Sequence, residues 1–481
     1  MVPKALYDEL GGFDEHYLPA YCEDSDLALK IRSKGYRVIY QPMSAVIHFE
    51  GITSGTDTTQ STKSHQVINT KKLHERWKHQ LQKYQAYGVD VDKAKDRAAT
   101  RRVLVLDQYT PTPDQDAGSV TAFNILLLLR EMGFQATFIP ESNYLYLPKY
   151  TAALQRAGIE VLYSPYITSV KQHLKKVGAR YDLVLIFRST VFDENIRTIR
   201  KYCTKAKTLF WTMDLHYLRM SREAELLKSK TGQKAAEDMR QLEFTAIQSA
   251  DASVIHSTAE LEIIRPLLPG AKLHLFPLIM DAKGSQKTFV ERRDIIFVGG
   301  YRHTPNVDAV KYFVEEVMPL LRKQLPGVHF HVVGSNPPAE IQALATEDVI
   351  ITGFVKNLAP LFDQVRVSVA PLRYGAGIKG KVGTAMAAGL PVVATSLAAE
   401  GMSLTDGENI LVADGPEAFA NAVTRIYRDE ILWNHIGKNG LAFADETWGA
   451  KAAWKTLSAI LEDISIPVKR GAYELSLYSE H

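Results

Sequence analysis

Residues 365–395 constrain the fold of this chain more than any other stretch. Val365, Val367, Val369 and Leu372 form the apolar run of a buried parallel strand, and the loop RYGAGIK (373–379) follows at once. A helix is predicted over 380–388, Gly389 stands where a helix C-cap belongs, and PVVAT (391–395) resumes as a strand. The unit is one βαβ repeat, and its glycine loop sits at a strand's carboxyl end. Glycines there let backbone N–H groups approach an anion, and the following helix start adds partial positive charge. With Gly375 and Gly377 beside Arg373, Lys379 and Lys381, a diphosphate is the expected occupant. The alternative reading is a turn with solvated cations.

The same alternation runs through most of the chain. RVLVLD (102–107), QATFIP, IEVLYS, YDLVLIF, TLFWTMD and ASVIHS read as successive buried strands with helices between most of them. A second series starts at DIIFVGG (294–300) and continues through a helix over 305–324, HFHVVG, VIITGFV, the glycine loop and ILVA (410–413). Thr304 and Pro305 read as a helix start, and helices over 416–430 and 449–463 close the body. The expected architecture is α/β, two Rossmann-like doubly wound domains facing a cleft. Their spans are 102–285 and 286–465, preceded by a module over 1–80 and a helical connector over 81–101. A loosely held tail over 466–481 ends the chain.

Composition narrows the function. A chain of 481 residues with 46% hydrophobic residues can fill several cores, and a formal charge of +3 is too mild for a nucleic-acid footprint. Cys22 and Cys203 lie far apart and give no metal-ligand or disulfide framework, which suits a reducing compartment. With no long apolar run and no signal-like start, a cytoplasmic protein with at most peripheral membrane contact is expected.

Further motifs carry rival readings. FVGGYRHTPN (297–306) is a second strand–glycine–helix junction, where Arg302 is the candidate for a phosphate or base contact, or Gly299 and Gly300 only make the turn. The long loop DQYTPTPDQDAGS (107–119) places Gly118 and Ser119 at a helix start, either facing a ligand or capping the helix. WTMDLHYLR (211–219) carries Asp214, His216 and Arg219 at a strand's end, and Glu260 follows ASVIHSTA. His216 is a site candidate or a packing residue. In the first module Glu23, Asp24 and Asp26 stand at a helix start, where carboxylates suit the dipole. The acidic pairs at Asp24–Asp26, Asp90–Asp92 and Asp114–Asp116 are too short to assign a metal site.

On FVGGYRHTPNVDAV, APLRYGAGIKGKVGTAMAAGLPVVATSLAAEGM, WTMDLHYLR and ILVADGPEAFANAV, residues 102–465 resemble the family 4 (group 1) glycosyltransferases with the GT-B fold. The resemblance implies retaining transfer of a sugar from a nucleotide-sugar donor to a glycan or lipid-linked acceptor, without a metal cofactor. It implies donor-phosphate contacts for Arg373 and Lys379, and a place near the donor sugar for His216, with Asp214 beside it. The family's two glutamates, eight positions apart, fall here on Ala376 and Thr384. The ribose contact is thereby left to Thr384, to Glu400 or to nothing.

Residues 1–80, through GGFDEHYLPAYCEDSDLALKIRSKGYRVIYQPMSAVIHFEG, resemble the carboxyl-terminal third of a family 2 GT-A glycosyltransferase. That resemblance implies a general-base role for Asp24 and a metal-ligand role for His48, with a divalent metal only in an intact module. The nucleotide-binding half expected upstream is absent, so a remnant or truncated gene product, inactive alone, is expected. Enzymes fused in this layout make cell-surface polysaccharide. Two rivals stand beside the transferase: a non-catalytic nucleotide-sugar-binding or scaffold subunit, and a GT-B sugar-nucleotide epimerase.

Overall fold

The computed structural model describes residues 1–40, 44–47, 63–86, 88–97, 99–276 and 278–468. The chain divides into two compact units, Met1–Ala98 and Ala99–His481. The first unit has helices α1 (Lys4–Glu9), α2 (Glu23–Ser33), α3 (Ser64–Leu81) and α4 (Val91–Lys95), and no strand among its described residues. Leu6, Leu27 and Ile31 form its small core.

Glu23, Asp24 and Asp26 all lie in the first turn of α2, yet they do different things. Asp24 is exposed and accepts the Ser25 N–H, whereas Asp26 is fully buried. Asp26 accepts from Trp77 Nε1 at 2.7 Å and Tyr17 Oη at 3.2 Å, with Lys30 Nζ at 3.2 Å. It therefore ties α2 to α3, and a buried carboxylate so bonded is a structural hub. His48 lies outside the described residues.

In the second unit, β1 (Arg101–Asp107), α5 (Ala117–Glu131), β2 (Phe134–Pro140), α6 (Pro148–Arg156), β3 (Glu160–Val161), α7 (Val170–Val177) and β4 (Leu183–Phe187) come first. α8 (Ser189–Tyr202), β5 (Lys207–Trp211), α9 (His216–Leu226), α10 (Lys230–Ser249), β6 (Ala252–Ile255), α11 (Thr258–Leu267) and β7 (Leu273–Leu275) complete this half. All pairings are parallel in the order β3-β2-β1-β4-β5-β6-β7, with Leu104 opposite both Thr137 and Val184. Val103 to Leu106 have no exposed surface, because helices cover both faces of the sheet.

The other half runs β8 (Ile295–Val298), α12 (Thr304–Tyr312), α13 (Met318–Gln324), β9 (Phe330–Val333), α14 (Ala339–Gln342), β10 (Val349–Gly353), α15 (Ala359–Phe362), β11 (Val367–Ala370) and α16 (Gly380–Ala387). β12 (Val392–Ala394), α17 (Ser396–Ala399), β13 (Leu411–Val412), α18 (Pro416–Arg428), α19 (Glu430–Trp448) and α20 (Ala450–Asp463) follow. This sheet is also parallel, in the order β10-β9-β8-β11-β12-β13. Strand order reverses between β1 and β4 in one sheet and between β8 and β11 in the other. Open α/β sheets bind ligands at such switch points, beyond the strands' carboxyl ends.

Several local expectations need correction. The single helix over 305–324 is interrupted by a π-helical turn at Phe313–Val317, because Pro319 has no N–H to continue the ladder. Thr304 is the first helical residue of α12, and His303 takes the N-cap position. Between the two closing helices lies α19, capped by the Asp429 side chain on Leu432 N–H. Gly437 and Gly440 disguise it in the sequence. A Cβ on Gly437 would meet the Gly389 carbonyl oxygen at 2.9 Å, so that glycine lets α19 pack against the turn after α16. Finally, α20 does not belong to the second half. Ala453, Leu457, Ile460, Leu461, Ile464 and Ile466 share one core with Val103, Leu185 and Trp211, so the chain crosses back to the first sheet and the span 286–465 is too long. The tail past residue 468 lies outside the described residues, while Ile466 is buried.

Candidate active site

The loop after β11 lies at the switch point of the second sheet. Gly375 has φ +145° and Gly377 φ +69°, conformations that side-chain-bearing residues rarely adopt. The turn they make lays the chain down so that α16 starts at Gly380, with Lys379 in its N-cap position. Lys379 is 6% exposed, and its Nζ donates to the Gly377 carbonyl at 2.6 Å. Lys381 Nζ donates to Asn306 Oδ1 at 2.7 Å and lies 5.4 Å from the Phe297 ring centre. Burial disfavours both ammonium ions, holding Lys379 down to about 8 and Lys381 to about 7. Two lysines poised near neutrality at a helix start form a site that an anion would charge fully.

Opposite stands the first sheet. The Asp107 carboxylate at the end of β1 accepts from Arg188 Nε at 2.8 Å, joining the strands on either side of that switch point. Asp116 caps α5 by accepting the Ser119 N–H at 2.8 Å, so Asp116, and not Ser119, is the N-cap. Gly118 sits in the first turn of α5, where a Cβ would meet Met213 Cε at 3.0 Å. The first turns of α5 and α16 touch: a Cβ on Gly380 would lie 3.0 Å from that of Ala117. Two helix N-termini thus converge on one place.

Asp214 and His216 lie between them. Asp214 is 2.9 Å from both His216 Nε2 and Arg219 Nε. Burial works against its charge, but His216 and Arg219 outweigh it and hold the carboxyl well below the usual range. His216 is raised, because Asp214 overcomes the effect of burial. Its backbone N–H and that of Tyr217 bond Glu243 at 2.8 and 3.1 Å, and burial pushes that carboxyl up to about 7. His303 reaches the same electrostatic neighbourhood. Desolvation by the groups packed around its ring, then the charges of Lys381 and Arg219, push it down to about 4, although part of its surface remains open to solvent.

The two halves are latched across this place. Arg222 of α9 makes a two-pronged pair with Glu400 at 2.6 and 2.8 Å and also donates to the Gly375 carbonyl at 2.8 Å. Glu260 accepts Gly377 N–H at 2.7 Å and Leu215 N–H at 3.1 Å. Glu223 accepts from Thr304 Oγ1 at 3.2 Å and Tyr374 Oη at 3.5 Å, and Thr258 N–H donates to the Gly401 carbonyl at 3.1 Å.

Among the sequence-derived candidates, Asp214, His216, Gly118, Gly375, Gly377, Lys379 and Lys381 are brought together. Arg373 is not. Its guanidinium bonds Asp308 at 2.5 and 2.9 Å and lies over the Tyr312 ring, with 41% of the side chain exposed. Proximity in sequence to the glycine loop suggested otherwise, but Asp308 and Glu316 on the neighbouring helix turn hold it. Thr384 Oγ1 bonds back to the Gly380 carbonyl at 2.9 Å, within its own helix. Glu400 serves Arg222, and Arg302 is exposed on the turn after β8. Sequence reasoning missed Arg222, Glu223, Glu243 and the partners Asn306 and Asp308. Glu243 and Glu260 leave one signal, a carboxylate on an otherwise buried helix face, and nothing local reveals the others.

Among the described residues, no group of three or more His, Cys, Asp or Glu side chains is arranged to hold a metal ion. No helix among them is long and apolar enough to cross a membrane. A cavity of about 440 Å³ lined by Phe289, Arg366, Tyr427 and Arg428 lies at the amino-terminal ends of β8 and β11. It is at the opposite end of the sheet from the glycine loops and the converging helix starts.

Residues 292–429 match the family model described as glycosyl transferases group 1. An uncharacterized 44.6 kDa protein in the cps region of Klebsiella pneumoniae is 22% identical over 173 residues, which cover 34% of this chain and 45% of that protein. The chain spans less than half the length of the curated relatives it matches. Sucrose-phosphate synthase from Thermosynechococcus elongatus is similar in structure at a TM-score of 0.59 and 14% identity, covering 76% of this chain and 99% of that one. Anabaena Alr3699/HepE in complex with UDP-glucose is similar at a TM-score of 0.55 and 14% identity, covering 75% and 99%.

Proposed function

We propose, from the match of residues 292–429 to the glycosyl transferases group 1 model and from the likeness of the chain around them to GT-B structures, that the protein transfers a sugar from a nucleoside-diphosphate donor to a glycan or lipid-linked acceptor. One observation carries the reading. Buried Lys379 and half-buried Lys381 flank the start of α16 at the point where α5 starts on the other side. Charge building on a departing diphosphate would be met there by two cations and by helix-terminal N–H groups that need no reorganisation. Because those charges come from the protein, the proposed transfer calls on no metal cofactor.

His216, oriented and charged by Asp214, is proposed to contact the donor sugar. The latch of Arg222 with Glu400 and of Glu260 with Gly377 would hold acceptor and donor in register while keeping water out. Retention of configuration and a role in cell-surface polysaccharide synthesis belong to the same proposal. The relative from a cps region supports the second. UDP is the proposed base carrier because UDP-glucose is bound by the structurally similar Anabaena protein. A GT-A origin for residues 1–80 is likewise a proposal, supported by GGFDEHYLPAYCEDSDLALKIRSKGYRVIYQ.

A second reading is favoured by Ala376 and Thr384, which put no carboxylate at the family's two glutamate positions. A non-catalytic nucleotide-sugar-binding subunit would have this composition. Incubating the full chain with UDP-glucose and an acceptor pool, and following UDP release and the mass of the products, separates the two. Binding without release of UDP from any nucleotide-sugar donor tried would overturn the transferase reading.

A further inference from the structure

We propose that Tyr146, Tyr163 and Tyr166 form a stacking platform for the sugar rings of a glycan acceptor. The proposal takes from the glycosyltransferase reading only the fate of that glycan. The Tyr163 ring centre lies 4.8 Å from that of Tyr146, tilted by 48°, and 5.5 Å from that of Tyr166, edge-on at 83°, so the cluster offers separate ring faces to successive sugars and not one plane. Tyr163 is anchored on the core of the first sheet, while Tyr146 is 39% and Tyr166 80% exposed. Single exposed aromatics are ordinary, but three rings touching in a row at a surface are not scattered.

The rings are carried by the loops after β2 and β3, at the carboxyl ends of the strands, where the other site residues also lie. These loops are stitched together. Ser164 N–H donates to the Tyr144 carbonyl at 2.8 Å, and Ser142 N–H to the Gln108 carbonyl at 3.1 Å, which joins the loop after β1 to the loop after β2. A platform so braced keeps its ring spacing without a ligand, so binding need not order it.

The chemistry suits a carbohydrate. A pyranose has an apolar C–H face that lies flat on an aromatic ring and hydroxyls at its edge, and tyrosine offers an apolar body with a polar tip. The same group of loops also carries Glu141, raised by burial and by Glu194, and Asp114, paired with Lys149, whose carboxylate oxygens can accept hydrogen bonds from hydroxyls.

The surface is also continuous with the donor side. Gln115 Nε2 donates at 3.0 Å to the hydroxyl of Tyr150, which stands in the first turn of α6, the helix that follows Tyr146. The Gln115 carbonyl oxygen lies 3.5 Å from where a Cβ on Gly300 would stand, in the glycine turn after β8. A glycan resting on the platform would reach the lysine-lined cleft along the 109–116 loop.

The test uses the full chain and five pentasaccharides, maltopentaose, cellopentaose, laminaripentaose, mannopentaose and chitopentaose, with binding read by saturation-transfer NMR and calorimetry. At least one should bind, Tyr166→Ala and Tyr146→Ala should each weaken it about tenfold, and Tyr166→Phe should keep most of the affinity. UDP affinity should stay unchanged in all three variants. If no pentasaccharide binds, or if both alanine variants bind like the parent, the platform is wrong. If a pentasaccharide binds through Tyr166 while UDP and UDP-glucose do not bind, the transferase reading falls and the platform stands.

Discussion

The Glu260 carboxylate accepts the Gly377 N–H at 2.7 Å, so a helix start in the first half of the fold grips the glycine loop of the second. The other oxygen of Glu260 is buried without a hydrogen-bond partner, and burial holds this carboxyl up to about 7. The contact is therefore strongest as a charge and yet sits where charge is expensive.

Stability should pass through a minimum near pH 7 to 8. Glu260 and Glu243 titrate near 7 in the fold, above the ordinary carboxyl value, so the folded chain binds more protons than the unfolded one between about 4.5 and 7. Stability therefore falls as pH rises through that window, by up to about 1.4 kcal/mol per pH unit for each group. His216, raised by Asp214, adds in the same sense. Above the minimum the sign reverses. Lys379 and Lys381 are held below their usual value, so the unfolded chain binds more protons and stability recovers toward pH 10. Denaturant titrations from pH 5 to 10 on the parent and on Glu260→Gln check this, and the variant should show a shallower descending limb.

Donor binding should draw protons from solution. At pH 8 the two lysines are partly neutral, and a diphosphate between them restores their charge. Calorimetry of UDP binding in buffers of different ionisation enthalpy should show net uptake that shrinks in Lys381→Met. Lys379→Met and Lys381→Met should each weaken UDP binding by roughly 1.5 to 3 kcal/mol. Arg373→Ala should cost under about 1 kcal/mol, since its guanidinium is exposed and committed to Asp308. An equal loss in all three would show that Arg373 swings onto the donor.

The pair of Arg222 with Glu400 should act on turnover more than on nucleotide affinity. Both side chains are partly exposed, so their coupling is modest, about 1 kcal/mol in a double-mutant cycle on kcat/KM. Arg222→Ala and Glu400→Ala should lower kcat/KM while leaving UDP affinity within about twofold. A cycle with no coupling would remove the pair from the latch.

Gly377→Ala should damage both fold and site. The residue has φ +69°, and a Cβ there would meet that of Asp214 at 2.8 Å. Strain and crowding together should cost about 1 to 3 kcal/mol, read as a lowered unfolding midpoint together with weakened UDP binding. Gly407→Ala, also at positive φ but with nothing within 4 Å, provides the control for strain alone.

Local sequence determined the repeat. Apolar runs such as Val103 to Leu106 must be buried on both faces, and a glycine loop after such a strand must lie at its carboxyl end, so both halves and the lysine loop were legible. Periodicity failed where it was masked: Gly437 and Gly440 hid α19, and Pro319 hid the π turn. What only the tertiary structure decided are partnerships over long separations. Arg373 looked like a phosphate ligand beside Gly375, but Asp308, sixty-five residues away in sequence, holds it. No local signal marked Arg222, and Glu260 stood only as a candidate after ASVIHSTA; the closure of two sheets made them the grip on the glycine loop. α20 followed the second half in order but packs on the first. The reason is common to all of them. Backbone propensity and apolar period act within a few turns of chain, whereas the partner of a charge and the core beneath a helix face are fixed by which surfaces meet in space.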